Sequence, residues 1–140
     1  MKMNDNVQKI KHEIVRVGNL TQYENTIEKI LQSIYNANCT ISCCYICENS
    51  SIEQAIDKSF KPHIRIGFKV PKEKPIHIIW DILHEFGHLL SGLPIGKGGT
   101  PERESQAWNI GFEQLKKYPE LVDQIDDYKK YREKCIKKNK

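Results

Sequence analysis

The stretch from Ile76 to Leu90 constrains this chain more than any other. Drawn as a helix, Ile76, Ile79, Leu83, Phe86 and Leu90 form one apolar stripe, and Ile78, Ile82 and Leu89 make a second side apolar. A helix that is apolar on two sides is buried by its neighbours. Its remaining stripe carries His77, Asp81, His84 and His88. Polar groups in such a place need partners, because burying them unpaired is costly. His84 and His88 are four residues apart and so lie one above the other. One metal ion would satisfy both. Glu85 completes His84-Glu85-x-x-His88, the H-E-x-x-H pattern of zinc hydrolases. The alternative is a pair of hydrogen-bonded core histidines, and Glu85 in its motif position favours the metal.

A catalytic zinc takes three protein ligands and keeps one position for water. The third is expected on the next helix, which Thr100 caps and Pro101 opens and which runs to about Lys117. Its apolar stripe is Trp108, Gly111, Phe112 and Leu115, and Gly111 there would let two helices approach closely. Glu104 lies one turn before Trp108 on that stripe, whereas Glu102 and Glu113 fall on the polar side. Glu104 is therefore the expected third ligand for Zn2+, ahead of Glu102. Glu85 is the expected general base, taking a proton from the attacking water and passing it to the leaving amine. Tyr118, His77 and Tyr23 are open candidates for an oxyanion donor. His77 is two turns from His84, too far to be a ligand. Asp81 could orient a ligand or form an ordinary salt bridge.

Around this centre, 140 residues suggest one domain spanning 1–140. A helix is expected over Asn6–Val17, ended by Gly18-Asn19. A second follows, with Thr21 and Glu24 as a capping box. Thr40–Glu48 reads as a strand. Pro62–Val70 alternates apolar and polar residues between two prolines, which suits an edge strand. Ile52–Phe60 fits either a short helix or an irregular connection, and Leu93–Gly99 a glycine-rich loop. A last helix is expected over roughly Glu120–Lys137. The fold class is α+β, with a small antiparallel sheet packed on the buried H-E-x-x-H helix and flanking helices. A peptide could pair alongside Pro62–Val70, where Arg65 and Lys69 would favour acidic substrate residues or simply solubilise the edge.

The net charge of +4 is concentrated from Asp127 to Lys140, where seven Lys or Arg face two acidic residues. This reads as a basic helical tail suited to the negative end of a helix dipole. No aromatic-rich base-stacking surface accompanies it, so nucleic acid is not the expected partner. No apolar run reaches membrane-spanning length. The polar N-terminal stretch does not resemble a signal peptide. Five cysteines are an odd number, which a reduced, cytoplasmic setting explains most simply. Cys44-x-x-Cys47 sits in the cluster of Cys39, Cys43, Cys44 and Cys47. In the Thr40–Glu48 strand Cys43 and Cys47 face one side and Cys44 the other, so Cys44 and Cys47 cannot share a metal unless the strand breaks, and small buried thiols are expected rather than a second zinc site.

Leu83-His84-Glu85-Phe86-Gly87-His88, the strand before it and Glu104-Ser-Gln-Ala107-Trp108-Asn109 after it resemble the ImmA/IrrE family of small gluzincin-like zinc peptidases. The likeness spans about Pro62 to Phe112. It implies a minimal thermolysin-like zincin core, with His84, His88 and Glu104 as zinc ligands and Glu85 as base. It also implies cleavage of a protein or peptide substrate, such as a repressor-like partner regulator. The expected function is zinc-dependent endopeptidase. The alternative is a non-catalytic interaction protein on the same fold, of phage or mobile-element type. The sequence does not select an oligomeric state.

Overall fold

The computed structural model describes residues 2–53, 61–91 and 100–138. Helix α1 (Lys2–Gly18) leads through a 3-10 turn (Thr21–Tyr23) into α2 (Glu24–Asn36). Strands β1 (Thr40–Cys44), β2 (Ser51–Glu53) and β3 (His63–Gly67) follow. Then come α3 (His77–Leu90), α4 (Pro101–Leu115), a short α5 (Pro119–Val122) and α6 (Ile125–Lys138). The architecture is α+β, with a three-stranded mixed sheet and six helices among the described residues.

The sheet departs from the expectation of an antiparallel one. Its order is β1-β3-β2, with β1 parallel and β2 antiparallel to β3. The strand bracketed by prolines is thus central, not an edge. Pro62 and Pro71 both lie outside the ladder, so neither removes a hydrogen bond from it, and the Pro62 carbonyl accepts from Thr40 N at 3.0 Å. The alternation holds from His63 to Ile66 only: the strand ends at a buried Gly67 rather than at Val70, and Val70, expected inward, is exposed. Ile64 and Ile66 are buried and pair with Ile41 and Cys43 of β1. His63 and Arg65 stand on the polar face with Thr40 and Ser42. Arg65 is ion-paired with Glu53, and Lys69 lies 4.0 Å from Glu48, so these cations already have partners within the chain. Of the segment Ile52–Phe60, Ile52 and Glu53 belong to β2, and the rest lies outside the described residues, as does the Leu93–Gly99 loop.

α1 and α2 pack against each other and against the sheet through Val7, Ile14, Ile27, Ile30, Leu31 and Ile34. The capping box on the second helix does not form. Thr21 opens the 3-10 turn, and α2 is preceded by Tyr23 with no side-chain cap. Gly18 is the last residue of α1, and Asn19 takes the left-handed conformation (φ 54°), which Asn tolerates better than most residues. A Cβ on Gly18 would come within 2.8 Å of Ile78 Cδ1.

α3 is the middle of the molecule, touching β2 and β3 on one side and α4 and α6 on the other. Eleven of its fourteen residues are buried, which accounts for its two apolar sides as far as His88, while Leu90, expected on the core stripe, is exposed at the helix end. The helix expected over Glu120–Lys137 is instead two, because Gln124 N turns back to Leu121 O before α6 begins.

Candidate metal centre

α3 and α4 make the most extensive helix pairing in the fold, and two glycines set its closeness. A Cβ on Gly87 would overlap the Ala107 carbonyl oxygen and stand 2.9 Å from its carbon. A Cβ on Gly111 would stand 3.0 Å from Leu83 O and 2.7 Å from the Tyr128 hydroxyl. Close approach at Gly111 was legible in the sequence. At Gly87 the sequence signal is weaker: a glycine inside an otherwise apolar helix costs about 0.5–1 kcal/mol relative to Ala, which points to a packing reason.

At this crossing the expected residues converge. Thr100 caps α4, its hydroxyl accepting from Arg103 N at 3.3 Å, and Pro101 takes the first turn. Glu104 thereby faces α3, while Glu102 and Glu113 are exposed. Glu104 Oε1 lies 2.9 Å from His84 Nε2, and Oε2 lies 3.2 Å from His88 Nε2. One ligand atom from each of His84, His88 and Glu104 falls within 4.8 Å of the others. Tetrahedral bonds of ~2.0–2.1 Å would separate ligand atoms by about 3.3 Å. The two carboxylate–imidazole distances, one to each Glu104 oxygen, are close to that spacing, so this donor set could hold one small divalent cation.

The electrostatics agree with a cation site. Burial works against a charge on His84, yet the Glu104 and Glu85 carboxylates outweigh it and raise the ring to about 9. Hydrogen bonds from His84 and His88 hold Glu104 down to about 2. Glu85 is buried, with Oε2 3.4 Å from His84 Nδ1. The His88 Nδ1 is buried with no hydrogen-bond partner among the described residues.

Trp108 has a role its place on the apolar stripe did not disclose. Its ring stacks on His84 at 4.1 Å between centroids and 9° between planes. Tyr128 and Tyr131 of α6 meet Trp108 edge-on at 5.6 and 5.9 Å, and the Tyr128 hydroxyl donates to Trp108 O at 2.7 Å. The His84 imidazole is thus backed by an indole that α6 holds in place.

Other candidates are engaged elsewhere. His77 Nε2 lies 3.2 Å from Asp127 and its ring stacks on Tyr131. Asp81 accepts from the Tyr131 hydroxyl at 2.7 Å and pairs with Lys72 at 2.7 Å, which is the salt-bridge role. The Tyr118 hydroxyl lies 3.4 Å from Ser33 Oγ. Tyr23 packs against the core where α2 begins.

Compared with protein-family models, curated proteins and solved structures, the chain matches none. The reading of this site therefore rests on its geometry. No described helix is long and apolar enough to cross a membrane.

Proposed function

We propose that this chain is a zinc-dependent endopeptidase with a minimal thermolysin-like zincin core, of the ImmA/IrrE type. The observation that carries the reading is the meeting of His84, His88 and Glu104 at one point beside the buried Glu85. Two imidazoles and one carboxylate are the ligands of many hydrolytic zinc sites, and binding releases the proton that the carboxylates otherwise hold on His84. A binding site alone has no need of a second buried carboxylate next to the first histidine.

When bound, the zinc ion supplies Lewis acidity toward a water and a substrate carbonyl. His84, His88 and Glu104 would hold it, and Trp108 fixes the plane of the His84 ring. Glu85 takes a proton from the attacking water and returns it to the leaving amide nitrogen. A peptide would pair by its backbone with β2, which has one ladder partner among the described residues and adjoins α3. The substrate class is a protein or peptide, such as a partner regulatory protein, and the setting is the cytoplasm.

Elemental analysis after reconstitution tests the metal, and cleavage of denatured casein or a quenched-peptide library tests the chemistry. One zinc per chain is expected, lost in His88→Ala and Glu104→Ala. Glu85→Gln should keep zinc and lose activity by roughly 10²–10⁴-fold. Loss of zinc in Glu85→Gln would remove the base assignment. Retention in Glu104→Ala would return the third ligand to Glu102. Stoichiometric zinc without cleavage of any probe would favour the non-catalytic interaction protein.

A further inference from the structure

A second chemical feature lies away from the metal centre and does not depend on it. β1 ends at Cys44, and the chain turns through Tyr45 and Ile46 to bring Cys47 back, 5.4 Å away between Cα atoms and joined by a disulfide. The strand thus stops where the two thiols would have parted to opposite faces. Cys43 on β1 and Cys39, buried just before it, are free, but the expectation of reduced thiols packed in a sheet fails for this pair. We infer that Cys44 and Cys47 form a reversible thiol–disulfide exchange site for small thiols of the glutathione class.

Selectivity comes from the surroundings. Cys44 and Cys47 are half-exposed, on a turn whose Tyr45 and Ile46 are 51% and 85% exposed. Cys39 is buried, and Cys43 packs against the core. Burial pushes their thiols up to about 11 and about 12, so neither supplies the thiolate that exchange requires. The turn is also placed to transmit its state. Phe68 N donates to Cys44 O at 2.8 Å and Lys69 N to Cys47 O at 3.0 Å. Gly67 N donates to Ser50 Oγ at 3.1 Å, and β2 starts at the next residue, Ser51. Opening the small covalent ring leaves these hydrogen bonds, with the Tyr45 contacts to Glu13 and Phe68, to hold the turn, and so loosens the segment that leads directly into β2.

The reaction balances as two exchanges. A small thiolate attacks one sulfur of the pair, the Cys44–Cys47 bond breaks, and the other cysteine leaves as a thiolate and takes a proton. A second small thiol then attacks the mixed disulfide. The protein gains two electrons and two protons as a dithiol, and two small thiols become one disulfide.

The whole chain, equilibrated across ratios of reduced to oxidised glutathione, acid-quenched and alkylated, is read by intact mass. Two alkyl groups should appear together in one two-electron transition, unchanged by zinc and by Cys43→Ser. Cys44→Ser and Cys47→Ser should each abolish the transition and carry a glutathione adduct instead. Hydrogen exchange of residues 45–53 should be faster in the reduced protein, with α3 unaltered, and this comparison needs no variant. A bond intact at every ratio, one that never forms, or one that forms through Cys43 or Cys39 would overturn the inference.

Discussion

Gly87→Ala separates two opposing effects of one methyl group. By helix propensity alone the change should stabilise α3 by about 0.5–1 kcal/mol. The crossing with α4 predicts the reverse. The added carbon would overlap the Ala107 carbonyl oxygen and lie 2.9 and 3.1 Å from the Ala107 carbonyl carbon and Cα. All three are backbone atoms and cannot swing away as a side chain could. Ordinary carbon–carbon contact begins near ~3.5 Å, so α3 and α4 must part by on the order of 0.5–1 Å. Overpacking of this kind costs roughly 1–3 kcal/mol, and the propensity gain offsets part of it. A net loss of about 1–2 kcal/mol should lower Tm by roughly 3–8 °C in a chain of this size.

The metal site should suffer more than the fold. His84 and His88 reside on α3, and Glu104 on α4. The 2.9 and 3.2 Å separations across the crossing would widen toward ~4 Å, well past the spacing of about 3.3 Å that tetrahedral bonds of ~2.0–2.1 Å to one ion require. Zinc affinity, measured by competition with a chromophoric chelator, should fall about 10–100-fold, as when groups supporting a ligand are lost. Thermal melts of the metal-free protein report the fold separately. A Gly87→Ala protein with raised Tm and wild-type zinc affinity would refute the argument that the two glycines set the ligand spacing.

Other outcomes follow from the same contacts. Trp108→Leu should weaken zinc binding by roughly tenfold or more, and Trp108→Phe, which keeps a stacked ring, should restore most of it by the same chelator assay. Tyr128→Phe removes the buried bond to Trp108 O and should cost about 1–2 kcal/mol in denaturant unfolding. Burial alone would raise Asp127, but hydrogen bonds from Lys74 and Trp80 and the nearby His77 hold its carboxyl below the usual range. A depressed folded-state pKa gives stability that is present above the unfolded value of ~3.9 and lost as pH falls through the folded one. Asp127→Asn should therefore flatten the acid limb of the stability–pH curve below about pH 4, seen by melts at stepped pH.

What the sequence disclosed and what it withheld divide along a physical line. α3 was expected over Ile76–Leu90 and spans His77–Leu90, and α4 starts at the Thr100-Pro101 cap as expected. Helical periodicity and a cap are local, and so is the helical face that turns Glu104 inward. The same periodicity brings out the polar stripe of α3, but not how its members are used. His77 and Asp81 share the stripe with His84 and His88, yet Asp127, Tyr131 and Lys72 claim them, and those partners come from elsewhere in the chain. Trp108 on His84 is likewise visible only once α4 lies across α3.

The sheet is where local signals misled, and the consequence falls on the substrate. Two prolines around an alternating strand argue for an edge only if they enter the ladder, and they do not. With β3 central, both its sides are taken by β1 and β2. Arg65 and Lys69 then meet Glu53 and Glu48, so they no longer argue for acidic substrate residues. Of the two edge strands, β1 and β2, the one packed on α3 is β2, three residues long, with exposed Ser51 and Glu53 flanking the half-buried Ile52. A strand that short offers few backbone pairs, so recognition must also draw on contacts beyond it. The same strand follows directly on the Cys44–Cys47 turn. If both proposals hold, reduction of that disulfide loosens the edge on which a peptide pairs and leaves His84, His88 and Glu104 where they are.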